Sequence, residues 1–214
     1  MSLRVLRKFS FVATGMLGLV GGFVAWTVGE PVWYHAEWLL NSYPVLQTVL
    51  GSTPDVLYAS VLGLYLGFFL GATEGLLSMD MRTLGRGMLF GSVAGFVGGL
   101  IGCLLGKVAF TMLGQSWIGR CLGWSLFGAL LGVAPGMALK AVDRAARGFL
   151  GGAVGGFLGG FVFVTVTKLF DLPIYGRMLA IPLLGAILGA CYGLAEQLLR
   201  RSWLTVLSGA AEGY

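Results

Sequence analysis

Few side chains in this 214-residue sequence carry groups that could do chemistry, and their spacing limits what they can do. Glu74 and Glu196 stand inside apolar stretches, where an ionisable group points to function by default. They do not recur at matched positions, so no ring of carboxylates is expected; each is assigned a local interfacial partner, Arg82 for Glu74 and Arg200 for Glu196. Lys107 and Lys168 lie near the ends of such stretches, from which a long side chain reaches the headgroups while its stem stays among apolar groups. His35 is the single histidine and has no second ligand nearby, so it reads as a wetted surface residue rather than a metal or haem ligand. Cys103, Cys121 and Cys191 form no pair with metal or disulfide spacing and read as packing residues. Ser60, Ser92 and Ser125 have no visible base, and there is no Walker A loop, H-E-x-x-H or G-x-S-x-G. The expectation is a protein that is not an enzyme and holds no cofactor or metal.

The elements around these residues are dominated by glycine. Gly18, Gly21 and Gly22 make a G-x-x-G-G cluster that returns as Gly95, Gly98, Gly99 and as Gly156, Gly159, Gly160. A four-residue spacing alternates with it: Gly67, Gly71, Gly75, then Gly128, Gly132, Gly136, then Gly185, Gly189, Gly193. The clusters lie inside apolar stretches with no soluble strand before them, which argues against dinucleotide loops. Positions i and i+4 share one helix face. In lipid, where the hydrophobic drive for helix association is weak, such stripes let backbones approach closely. Glycine costs about 1 kcal/mol per helix-interior position in water, but the apolar medium forbids unpaired backbone and keeps the helix intact. The stripes are read as packing seams, with a pore lining or a groove for lipid or pigment as the alternative. Pro135 interrupts one stripe and is expected to kink its helix.

Composition points the same way: 57% of residues are hydrophobic, 11% are charged and the mean hydropathy is +0.88, far from a soluble domain. Crossing a bilayer takes about 20 apolar residues, and six stretches qualify, approximately 9–29, 56–78, 88–112, 121–141, 148–169 and 178–199. The fold class is therefore all-α: a polytopic membrane protein of six transmembrane helices. Lys and Arg fix the orientation. With a cytoplasmic N-terminus, ten of the fourteen basic residues share that side, leaving Lys107, Arg120, Lys168 and Arg177 opposite, with Glu30, Glu37, Asp55 and Asp171. Both termini are thus expected in the cytoplasm, and the net charge of +5 follows from topology and anionic lipid rather than nucleic acid. Arg4, Arg7 and Lys8 before the first stretch resemble a secretory signal, but no convincing cleavage site follows, and the stretch is expected to be retained.

The repetition extends past glycine. A shift of 61 superposes Gly67 on Gly128, Arg86 on Arg147 and Lys107 on Lys168; a shift of 57 pairs Arg120 with Arg177 and Gly128 with Gly185. Residues 1–201 are read as one membrane domain of three parallel hairpins, about 9–78, 88–141 and 148–199, with 202–214 as a short cytoplasmic tail. Each hairpin returns the chain to its starting side, so a pseudo-threefold axis or a flat row would satisfy the pattern.

The helix-packing residues are expected to be Gly18, Gly22, Gly67, Gly71, Gly75, Gly95, Gly99, Gly128, Gly132, Gly136, Gly156, Gly160, Gly185, Gly189 and Gly193. Between Pro31 and Pro44, the aromatic residues Trp33, Tyr34, Trp38 and Tyr43 predict a helix lying on the outer leaflet that contacts lipid or a partner protein.

The glycine hairpins and the tail Ser202-Trp203-Leu204-Thr205-Val206-Leu207-Ser208-Gly209-Ala210-Ala211-Glu212-Gly213 resemble bacterial membrane proteins that carry a cytoplasmic forkhead-associated domain. In that family a similar stretch begins the first strand of the phosphothreonine-binding sandwich, so the resemblance implies a membrane anchor for phosphopeptide signalling; no residue of this chain corresponds to the phosphopeptide-binding positions. The expected function is a structural or assembly subunit of a bacterial inner membrane, in contact with membrane lipids and other integral membrane proteins and not with nucleic acid. A small channel or transporter is the alternative, and the signalling anchor a third reading.

Overall fold

The structure is a computed structural model and describes residues 10–43, 45, 54–138, 140–170 and 173–199. Among these residues six helices follow one another: α1 Ser10–Ser42, α2 Pro54–Ser78, α3 Met81–Met112, α4 Trp117–Ala138, α5 Val142–Leu169 and α6 Pro173–Leu198. All six are long and apolar enough to cross a membrane. The tail 202–214, and with it the forkhead-associated resemblance, lies outside the described residues.

One element differs from expectation. The aromatic segment after Glu30 is not a separate surface helix in its described part: α1 runs unbroken for 33 residues, through Pro31. Proline removes one backbone hydrogen bond and crowds the preceding turn, yet tertiary packing carries the helix past it. Ala36 is fully buried against Val56 and Leu57 of α2, with Phe96 and Leu100 of α3 alongside.

Every helix packs on its neighbours in the chain, and α6 packs on α1, closing the six into a ring. Even and odd helices contribute differently. The buried side chains of the centre come mostly from α2 (Leu62, Leu66, Leu70), α4 (Phe127, Leu131) and α6 (Ile181, Leu184, Leu188). On α3 the buried residues are all glycines, and on α5 only Val164 joins the glycines. A glycine face lies flush against its neighbour, so the odd helices offer backbone where the even ones offer leucine.

Three seams bring backbones into contact. Between α2 and α3, a Cβ added at Gly63, Gly67 or Gly71 would overlap the carbonyl oxygen of Gly95, Gly91 or Gly87. Between α4 and α5, Gly128 and Gly132 stand in the same way against the carbonyls of Gly152 and Gly148. Between α6 and α1, Gly185 meets the carbonyl of Gly18 and Gly189 that of Thr14. In this last seam Gly18 takes the depth of Gly91 and Gly152, although the G-x-x-G-G pattern aligns it with Gly95 and Gly156. The offset is four residues, about one helical turn. Thr14 is accommodated because its carbonyl, not a bulky side chain, lies over the face of Gly189, and its hydroxyl donates to the carbonyl of Phe11 at 3.0 Å.

The connections between α2 and α3 and between α4 and α5 share one geometry. Met79 and Lys140 both adopt left-handed backbone, with φ of 54°. The next N–H, of Asp80 or Ala141, returns to the carbonyl five residues back, Gly75 at 3.1 Å or Gly136 at 2.9 Å. This is the hydrogen bond of a Schellman stop. Asp80 then starts α3 by accepting from the N–H groups of Arg82 and Thr83; Ala141 has no side chain that can do so for α5.

Candidate functional site

Polar groups gather at the two ends of the bundle. At the end where α1 begins and α6 finishes, Arg144 of α5 lies 3.0 Å from Glu74 of α2 and 3.5 Å from Glu196 of α6, and Arg147 lies 3.7 Å from Glu196. Both carboxylate oxygens of Glu196 are buried and make no hydrogen bond within the described residues, so Glu196 is held by charge alone. The expected local pairing of Glu74 with Arg82 is therefore corrected. The carboxylate reaches across the end of the bundle to α5 because the inward-facing Arg144 balances two acids at once. For Glu196 the expected partner, Arg200, lies outside the described residues, and the partners seen are Arg144 and Arg147. A wide depression of about 590 Å³ opens here, between Asp80, Asp143 and the two arginines. Outside the spans, hydrogen bonds to Asp80, first from the Thr83 hydroxyl and then from the Arg82 N–H, hold its carboxyl below the usual range.

The opposite end is more elaborate. Glu30 of α1 is nearly buried and forms an ion pair with Arg177 of α6, whose Nε donates to Oε2 at 3.1 Å; Tyr58 of α2 donates to the same oxygen at 3.3 Å. The guanidinium also lies over the ring of Trp33, 5.3 Å from its centroid, and Trp33 packs edge-on against Tyr58. Three helices are tied by one carboxylate. Beside this cluster is a cavity of about 560 Å³, with Leu62, Trp124, Phe127 and Phe163 in its wall and Asp55, Lys107, Arg120 and Arg177 among its polar lining residues. Lys107 pairs with Asp55 at 2.7 Å, so its expected reach to the headgroups is replaced by a partner on α2; Lys168 is exposed. Arg120 lies over the ring of Phe110, 4.7 Å from its centroid, and has no carboxylate partner among the described residues.

The aromatic residues expected to form a contact surface divide. Trp33 is half-buried inside the cluster, whereas Tyr34, Trp38 and Tyr43 are exposed. His35, also exposed, donates from Nδ1 to the carbonyl of Pro31 at 2.8 Å, and no group of histidine, cysteine, aspartate and glutamate with metal-binding geometry occurs among the described residues. Ser60 and Ser125 donate to the carbonyls of Val56 and Ala153 and serve the backbone. The glycines of the expected packing set that lie on α2, α4 and α6 each face backbone of an adjacent odd helix. Sequence reading did not find the cluster of Glu30, Tyr58 and Arg177; its one signal was an acid and a base placed on the same side.

Six apolar helices around a filled centre make this a multi-pass membrane protein. Compared with known protein families, with characterised proteins and with solved structures, the chain matches none of them.

Proposed function

We propose that the chain is a non-enzymatic structural or assembly subunit of a bacterial inner membrane, with both termini in the cytoplasm and its outer surface packed against partner membrane proteins. The observation that carries this reading is the closed centre. Leu66 and Leu70 of α2, Leu131 of α4 and Leu184 and Leu188 of α6 are buried together on the axis of the ring. A conduit needs polar groups or water along its length, and the charged side chains of the described residues stay at the two ends, separated by aliphatic packing. The basic residues of the connections near Arg82 and Lys140 support the orientation, and three equivalent hairpins are the simplest source of the alternating seams. The signalling-anchor reading depends on residues 202–214, to which the folded helices add nothing.

A partner surface is offered by the last turns of α1. Tyr34 and Trp38 are exposed, are four residues apart and therefore share a face, and aromatic residues of this kind anchor interfaces. The test is purification from native membranes in a mild detergent, comparing parent with Tyr34→Ala/Trp38→Ala. A stoichiometric membrane partner that is lost from the double variant is expected. Isolation of the parent alone, together with ion or solute flux in liposomes, would overturn the assignment in favour of a channel or transporter.

A further inference from the structure

We propose that the cavity beside Arg177 binds an anionic amphiphile, an oxyanion headgroup on a short apolar tail. The cavity, of about 560 Å³, is within the range of ligand sites. Among the described residues its charged lining is three cations, Lys107, Arg120 and Arg177, against one acid, Asp55. Lys107 already pairs with Asp55, and Arg177 with Glu30. Arg120 differs: its guanidinium rests on the ring of Phe110 and meets no carboxylate among the described residues. A planar fork of donors, positioned by a ring and unpaired with any described acid, suits a carboxylate or phosphate oxygen.

Beneath the charges the lining turns apolar. Asp55 and Leu62 lie on the same helix, and the seven residues from one to the other give a depth of about 10 Å at the rise of an α-helix. At that depth stand Leu62 and Phe127, both buried, with Trp124 and Phe163 packed beside them. A ligand with charge at one end and hydrocarbon at the other matches both zones. A free polar anion would leave the aromatic floor unfilled, and a cationic amphiphile would meet three positive side chains. A membrane lipid and a free carboxylic acid share the matching chemistry, and the experiment separates them.

The full chain in neutral maltoside micelles is photolabelled with a diazirine-bearing decanoate, and the modified peptides are mapped. Saturable labelling of 54–62 and 120–127 is expected, displaced by plain decanoate if the site takes free acids and by dioctanoyl phosphatidylglycerol if it takes lipid. Decyltrimethylammonium should not displace it. Arg120→Gln, an exposed position, should weaken binding about tenfold, the loss of one charge-assisted contact, with the thermal unfolding temperature unchanged. Ala59→Phe, which projects a ring from the cavity wall, should abolish labelling; a parent-like unfolding temperature shows that this variant is folded. Labelling that does not saturate, equal displacement by the cationic amphiphile, or parent-like binding by a folded Arg120→Gln would each overturn the proposal.

Discussion

Glu30 holds Arg177 and accepts from Tyr58 at the same time, so its charge organises the meeting of α1, α2 and α6. Replacing it by glutamine leaves a largely buried guanidinium without its counter-charge, which costs about 3 kcal/mol when a buried pair is broken from one side. Glu30→Gln should therefore lower the thermal unfolding temperature in detergent clearly, and Glu30→Gln/Arg177→Met should recover most of the loss. The pair of Lys107 and Asp55, with side chains 37% and 46% exposed, gives the contrast: Lys107→Met should cost less than about 1 kcal/mol. Asp80 adds a pH dependence. Its folded carboxyl titrates below the usual range, so its capping contribution is complete above the ordinary carboxylate pKa and is lost as pH falls through the depressed value. The gap in unfolding temperature between parent and Asp80→Ala should accordingly be widest near neutral pH and close in acid.

At the scale of elements, the seams are where a single methyl matters. A side chain at Gly91 or Gly132 would run into the carbonyl of Gly67 or Gly148, whereas a Cβ at Gly85 meets nothing within 4 Å. Gly132→Leu should cost at least the 1–3 kcal/mol roughly expected of overpacking, and Gly85→Ala should be neutral or stabilise by up to about 1 kcal/mol through helix propensity. Equal unfolding temperatures for the two variants would contradict the seams. These stripes were legible in the sequence because an i, i+4 spacing maps directly onto one helix face. The offset of α1 against α6 was not, since Thr14 breaks the glycine pattern at the position that fixes the register. Nor was the full length of α1 legible: Pro31 and the aromatic residues after it read as a separate helix on the outer leaflet, and only burial of Ala36 between two later helices shows why α1 continues. The ion pair of Glu30 with Arg177 spans 147 residues and depends on ring closure, which local spacing does not encode.

The described residues form a ring of six helices with a filled centre, and two expectations belong to that scale. Orientation is the first. In a background with Cys103, Cys121 and Cys191 replaced by alanine, cysteines at Ser42, Ser116 and Pro173 should all be labelled by an impermeant reagent from the outside. Labelling of those sites only from the cytoplasmic side would reverse the topology. Ring closure is the second and the more central, because the packed centre, the Glu30 cluster and the cavity beside it all depend on α6 reaching α1. A Cβ built at Gly15 lies 3.4 Å from the Cβ of Ala190, and one at Gly176 lies 3.6 Å from that of Thr167. Both are close to the separation across a disulfide, about 3.8 Å. The decisive measurement is oxidative cross-linking in membranes of Gly15→Cys/Ala190→Cys, with Gly176→Cys/Thr167→Cys as the local control across α5 and α6. The closed ring predicts an intramolecular disulfide in both pairs; a control that cross-links while the Gly15 and Ala190 pair stays reduced, or links only between molecules, would contradict it.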